Sequence, residues 1–280
     1  MYNKCGRQHT SDVLQFCGEI HDPCMHVGYV AYATILTNSQ RQKNGAFTDS
    51  MLHEWAEDIW IAEAPLRFYG IPFGTRMTVL RLADGSLFLH SPIAIDDPLR
   101  VEIDKLGTVR YIVSPNKLHH LYLRSAHDTF PEAQLYSPPG LMEKRPDLPF
   151  QAELSDVGSQ SWSRDLEQLV LRGSKTMQEV EFFHPRSRTL IVADMCEYFG
   201  PHSPLLTRIV ARLARMYDRP RMPPDWQFTF RDRWTTRATF ERLLAWDFDR
   251  VILAHGKLIE SGAKALFRQE YAWAVSQGTV

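Results

Sequence analysis

Three apolar runs in this 280-residue chain stop abruptly at side chains able to bind a metal. They are VRYIVSPNKLHH, closing on His119 and His120; TLIVAD, closing on Asp194; and RVILAH, closing on His255. Imidazoles with a carboxylate are a common donor set for zinc, iron or manganese. Each residue alone says little, because a histidine after a strand is more often a satisfied surface or core residue and an aspartate there is usually a helix cap. Their joint occurrence is informative, since loops at the carboxyl ends of strands converge in open α/β sheets. One divalent ion held by such a set would lower the pKa of a water to about 7 and support hydrolysis of an ester, lactone, amide or phosphoester. The same donors suit iron or manganese, which leaves oxidative chemistry open.

The runs must be positioned by regular elements, and the pattern supplies them. MTVLRL and SLFLHSP are β-rich and joined by Ala83-Asp84-Gly85, a hairpin signal. Asp97 to Leu106 reads as a helix capped by Asp96 or Asp97, followed by the strand VRYIVS, a short helical link and the strand AQLYSPPG. That order demands right-handed crossovers and a partly parallel sheet. LEQLVLRG and VEFFHPRSRTLIVADM, with a turn at Pro185-Arg186-Ser187, predict two or three antiparallel strands. Ser203 to Met216 has apolar residues at helical spacing with arginines between them, which predicts an amphipathic helix. Thr235 to Trp246 reads as another helix, RVILAHG as a buried strand, and Ala263 to Val275 as a terminal helix.

A chain with 44% hydrophobic and 23% charged residues has the profile of an ordinary globular protein of one large domain or two small ones. Net charge is -1, so no global basic field attracts nucleic acid or an anionic membrane, and neither is expected as a partner; a local basic patch is still allowed. A small-molecule substrate or ligand is the expected partner. No apolar run reaches the roughly 20 residues of a membrane span, and the N-terminus lacks the order of a secretory signal. Four cysteines make no disulfide framework, so a reducing, cytoplasmic setting is expected. Residues 1–50 read as a loosely ordered extension ending in the polar stretch TNSQRQKNG, with the folded domain over 51–280 and Met51 a plausible start for it. Cys17, His21, Cys24 and His26 lie in that extension, but their spacing fits no standard zinc finger.

In order and spacing the three strand ends resemble the metallo-β-lactamase superfamily, whose first metal motif is T-H-x-H-x-D-H. Aligned on the last histidine, Ser114 to His120 puts Pro115 and Lys117 on the motif's first two histidines, His119 on its aspartate and His120 on its final histidine. Asp194 matches the bridging aspartate after a strand, and His255, followed by glycine, the late histidine. The stretches RMTVLRLADGSLFLHSPI, VRYIVSPNKLHHLYL, AQLYSPPGL, EFFHPRSRTLIVAD and ILAHG are similar to a domain-of-unknown-function branch of that superfamily. The resemblance implies an α/β chain folded as a metallo-β-lactamase-like αββα sandwich. It also implies that one metal's ligands are lost at Pro115 and Lys117, while those of the other survive as His119, His120, Asp194 and His255. A mononuclear site holding one divalent ion, zinc first, follows, with Asp194 and His120 as the residues expected to act in catalysis and Lys117 as a fixed charge or a solvated side chain.

Weaker candidates surround these. His184, Arg186 and Arg188 flank a turn and could hold an anionic group through bidentate contacts, although a solvated hairpin tip is the commoner case. Of Glu179 and Glu181, only one is expected to face inward. Ser91-Pro92 and Ser137-Pro138-Pro139-Gly140 resemble site-edge loops, although proline-rich strand exits are usually plain turns, and Trp226, Trp234 and Trp246 read as core or lid aromatics. No G-x-S-x-G elbow is present. The expected function is a metal-dependent, hydrolase-like enzyme; the alternatives are a non-catalytic binding or scaffold protein on the same fold and an iron-dependent oxidative enzyme.

Overall fold

In the computed structural model, which describes residues 51–157 and 161–276, two sheets lie face to face with helices outside each. The first sheet has the order β1 (His53–Ala56), β2 (Ile59–Ala64), β5 (Thr75–Arg81), β6 (Leu87–His90), β7 (Val109–Val113), β8 (Gln134–Ser137) and β9 (Phe150–Glu153). A small ladder of β3 (Arg67–Phe68) and β4 (Ile71–Pro72) interrupts the chain before β5. The second sheet runs β10 (Glu167–Leu171), β11 (Glu179–His184), β12 (Thr189–Val192) and β13 (Arg250–Leu253).

The period of two along each strand decides the layers. Phe88, Tyr111 and Val113 from the first sheet meet Val180, Phe182, Ile191 and Ile252 from the second, with Trp162 between them, in the inter-sheet core. The opposite faces carry Leu87, Leu89 and Ile112 against α1 (Asp97–Leu106), α2 (Leu123–Thr129) and α3 (Leu141–Lys144). On the far side, Leu190, Val192, Val251 and Leu253 pack against α6 (Arg233–Ala245) and α7 (Ala263–Glu270). This is the αββα order that the resemblance implies. Between β12 and α6 come α4 (Leu205–Leu213) and the short α5 (Pro224–Gln227), and α8 (Ala272–Val275) closes the described chain.

The predicted elements appear where the pattern placed them. β5 and β6 form the expected hairpin, Asp96 caps α1 by accepting from Leu99 N at 3.1 Å, and β6–β7, β7–β8 and β12–β13 pair in parallel. The terminal helix breaks in two at Tyr271, whose ring is buried and whose hydroxyl donates to the Met195 carbonyl at 2.6 Å. β1 to β4 and β9 carry no clear alternation and were outside the sequence-based expectations. The readings of residues 1–50, including the four potential zinc ligands, lie outside the described residues. Among the described residues no helix is long and apolar enough to cross a membrane.

Candidate metal centre

Register explains why the chemistry gathers at one edge. The parallel pairing of β12 with β13 sets Val192 beside Leu253, so Asp194 and His255, each two residues further on, emerge level. In the first sheet His90 lies beside Val113, which brings the Ser91 turn next to the 114–120 loop; Ser91 N donates to Val113 O at 3.0 Å. That loop is tied across to the second sheet where Val180 N donates to Pro115 O at 2.9 Å.

His119, Asp194 and His255 meet there. Asp194 Oδ1 lies 3.3 Å from His119 Nε2 and 3.2 Å from His255 Nε2, and the imidazole centroids are 5.3 Å apart. One ligand atom from each residue falls within 4.8 Å of the others. Two donors of a tetrahedral ion with bonds near 2.0–2.1 Å are separated by about 3.3–3.4 Å, so the spacing fits a single cation. The other ring nitrogens are already engaged: His255 Nδ1 donates to the Gly74 carbonyl at 2.7 Å, and His119 Nδ1 shares a hydrogen with Ser91 Oγ at 2.6 Å. A carbonyl only accepts, so the neutral His255 ring carries its proton on Nδ1 and turns the Nε2 lone pair towards Asp194.

The carboxylate is prepared as well. Asn116 Nδ2 donates to Asp194 Oδ2 at 2.9 Å and to Glu179 Oε2 at 2.6 Å, while Asn116 Oδ1 accepts from the N–H groups of Leu118 and His119. Glu179 in turn accepts from the backbone N–H groups of Ala193, Asp194 and Met195 at 2.8, 2.9 and 3.1 Å. Extending the β11–β12 pairing places Glu179 opposite Asp194, which is why this side chain pins that loop. Burial alone would raise the pKa of Asp194, but the imidazoles of His119 and His255 hold it far below the usual carboxylate range. For His255 burial disfavours the charged ring, yet the hydrogen bond and charge of Asp194 more than offset this and its pKa rises. Glu197, buried nearby in the field of His255 and Asp194, has its pKa pushed up by burial to about 8.

His120 is not in the cluster. Its Nδ1 lies 3.0 Å from Arg145 Nη1, and a guanidinium can only donate, so Nδ1 is the acceptor and the neutral ring keeps its proton on Nε2. Neither nitrogen then offers a metal a lone pair. Burial, followed by the charges of Lys144, Arg145 and His119, lowers its pKa to about 3. The expectation for this histidine is corrected: of the adjacent pair, His119 faces Asp194. Lys117 is half-buried, with its ammonium against Gly140.

The turn residues are corrected too. His184 sits at the opposite end of β11 from Glu179, about 17 Å away along the strand, with Nδ1 2.8 Å from Ser187 Oγ. Arg186 pairs with Asp58, and Arg188 with Asp247 at 3.1 Å. All three are remote from the cluster. Both Glu179 and Glu181 are fully buried: residues two apart on a strand share a face, and β11 is buried along its whole length. Burial and the charge of Glu179 push the pKa of Glu181 well above its usual range, favouring its protonated form.

Sequence reasoning missed Gly74 and Asn116, and it set Ser91 aside in favour of a plain turn. Asn116 lay inside the quoted motif and Ser91 directly after a strand, but nothing local signals a bond to a residue 28 positions away. Ser91 adopts φ +54, a left-handed conformation that a serine holds at some cost, and this aims its hydroxyl at His119. Ser91→Ala is expected to weaken metal affinity by about 10- to 100-fold with little change in stability, and Ser91→Gly to behave alike. Competition with a chromophoric chelator measures this; unchanged affinity in both variants would show that the hydroxyl does not orient the ring.

A family model described as Domain of unknown function (DUF4336) matches residues 56–222, more than half of the chain, and the chain belongs to that family. No curated protein matches it. Similar solved structures include the DIM-1 metallo-beta-lactamase exposed to ceftazidime, 15% identical with a TM-score of 0.55 over 80% of this chain and 96% of that one. The mono-zinc form of the FIM-1 metallo-beta-lactamase from Pseudomonas aeruginosa is 14% identical, with a TM-score of 0.52 over 81% and 96%. The metal-soaked Flv1 flavodiiron core from a Synechocystis species is 13% identical, with a TM-score of 0.56 over 81% of this chain and 61% of that one. The fold is that of the metallo-beta-lactamases.

Proposed function

We propose that this DUF4336 chain is a metallo-hydrolase-like enzyme that acts on a small molecule through one divalent cation held by His119 Nε2, Asp194 Oδ1 and His255 Nε2. The observation that carries this reading is the pair of imidazole nitrogens 3.2–3.3 Å from one carboxylate oxygen, with the remaining nitrogen of each ring engaged elsewhere. Three protein donors, one short of the four that close a structural zinc site, is the pattern of catalytic rather than structural zinc. Such an ion supplies Lewis acidity and lowers the pKa of a water to about 7. The chain's own residues do the rest. Asn116 holds Asp194 Oδ2 so that Oδ1 faces both rings, and Glu179 keeps the loop still. Phe73 walls one side, its ring centroid 6.1 Å from that of His255.

Two histidines and one carboxylate also form the facial set of non-haem iron oxygenases, and this donor chemistry supports iron-dependent oxidation as a second reading. A panel of ester, lactone, amide and phosphoester substrates, assayed with zinc, manganese and ferrous iron, separates the two. Hydrolysis that a chelator abolishes, that zinc restores and that Asp194→Asn lowers by at least about 100-fold is the expected result. Turnover that requires iron and dioxygen would select the oxidative reading. Activity indifferent to chelation and to Asp194→Asn would sink both.

A further inference from the structure

The helix α4 is turned inside out. At about 100° per residue, Leu205, Leu206, Ile209 and Leu213 share one arc, with Thr207 and Ala211 opposite. Thr207 and Ala211 are the buried pair, and the apolar arc faces outward: Leu205 is 67% exposed, Leu206 and Ile209 46% each and Leu213 81%. Phe228, 70% exposed, extends the ridge, since it lines the same shallow depression as Leu213, Arg215 and Arg221. A surface helix ordinarily buries this face. Contiguous exposed apolar surface of this kind marks an interaction site.

Charge identifies the partner. Residues 201–223 hold five arginines and one carboxylate, Asp218, in a chain whose overall charge is -1. Arg219 is tied to Glu270 at 2.8 Å, but Arg208, Arg212, Arg215 and Arg221 make no ion pair among the described residues. Apposing this face to a second copy would set arginine against arginine. An exposed helix face of leucine and isoleucine edged by arginines without ion pairs matches an anionic lipid surface, where the apolar side chains enter the acyl boundary and the guanidiniums meet phosphates. A bilayer needs no complementary groove, whereas a protein partner would.

We propose that the α4 ridge docks the protein on anionic membrane surfaces as a peripheral binder. The expectation of no membrane partner rested on whole-chain charge and on the absence of a spanning run, and it left a local basic patch of this kind open. The buried face of α4 connects to the candidate metal centre: Phe73 packs against the Phe199, Ala211 and Met216 cluster under the helix, and its ring lies in a T-shaped arrangement with that of His255.

Flotation of the metal-loaded full chain with vesicles tests this. Binding is expected to phosphatidylcholine vesicles containing about one third phosphatidylglycerol, and to weaken at least about tenfold on pure phosphatidylcholine or at about 0.5 M salt. Ile209→Glu with Leu213→Glu should lose binding by about tenfold or more while keeping its circular dichroism and metal content. Arg208→Gln, Arg212→Gln and Arg215→Gln together should lose the salt-sensitive part with the ridge intact. Wild type that floats with neither vesicle, or floats equally well in the glutamate variant, overturns the proposal. So does a dimer that the glutamate variant dissolves, which would assign the ridge to self-association.

Discussion

Glu179→Ala is expected to lower unfolding free energy by about 3–5 kcal/mol and to strip the protein of bound metal. The side chain is fully buried and accepts four hydrogen bonds, from the N–H groups of Ala193, Asp194 and Met195 and from Asn116 Nδ2. Alanine leaves the three backbone N–H groups without this acceptor and Asn116 Nδ2 with Asp194 Oδ2 alone, each lost partner costing about 1–3 kcal/mol before relaxation. It also frees the loop that carries Asp194. Glutamine does not restore the site, because each carboxylate oxygen serves two N–H donors and an amide would point its own N–H groups at one pair. Glu181→Gln is the internal comparison. Glu181, two positions along the same strand, accepts none of these loop N–H groups and its burial favours the protonated form, so its replacement by a neutral amide should cost less than about 1 kcal/mol. Urea unfolding of both variants measures the difference, and equal costs would mean that Glu179 is not the clamp described.

Gly256→Ala is expected to be of comparable severity, at about 3 kcal/mol or more, through backbone rather than hydrogen bonding. Gly256 has φ +89, and a Cβ there would stand 2.2 Å from the Tyr198 carbonyl oxygen and 2.7 Å from its carbon. Those are backbone atoms held by a short pairing of Tyr198 with Gly256, in which Lys257 N donates to Tyr198 O at 2.7 Å. The displaced segment includes His255. It is also the seam between the sheets: Arg76 reaches from β5 to the carbonyls of Leu253 and Gly256 while pairing with Glu63 at 2.5 Å. Thermal unfolding and metal competition should therefore fall together in Gly256→Ala, with metal affinity weakened by at least about tenfold. Wild-type stability or affinity in this variant would contradict the described seam.

Much of this architecture was legible in the chain because the strands that build it bury one or both faces and end on polar residues. TLIVAD and RVILAH announced both their burial and the side chains at their tips, and parallel pairing made Asp194 and His255 neighbours. The pleat puts Glu179 and Glu181 on one face, so the clamp too is written in the period of the strand and not in the residue types alone. The choice between His119 and His120 was not legible. It depends on Arg145, 25 residues away from His120, and on the conformation of Ser91, and neither carries a local signature. Nor did helical periodicity distinguish a face turned to the core from one turned outward. α4 has the pattern of a buried amphipathic helix, and only packing shows that Thr207 and Ala211 are the residues inside.

The central claim is that His119, Asp194 and His255, and not His120, hold one metal. Metal-to-protein stoichiometry by elemental analysis, on protein purified without added metal, tests it directly in wild type, His119→Ala and His120→Ala. About one ion per chain is expected in wild type and in His120→Ala, and less than about a tenth of that in His119→Ala. Equal metal in all three, or loss from His120→Ala with retention in His119→Ala, would contradict the account.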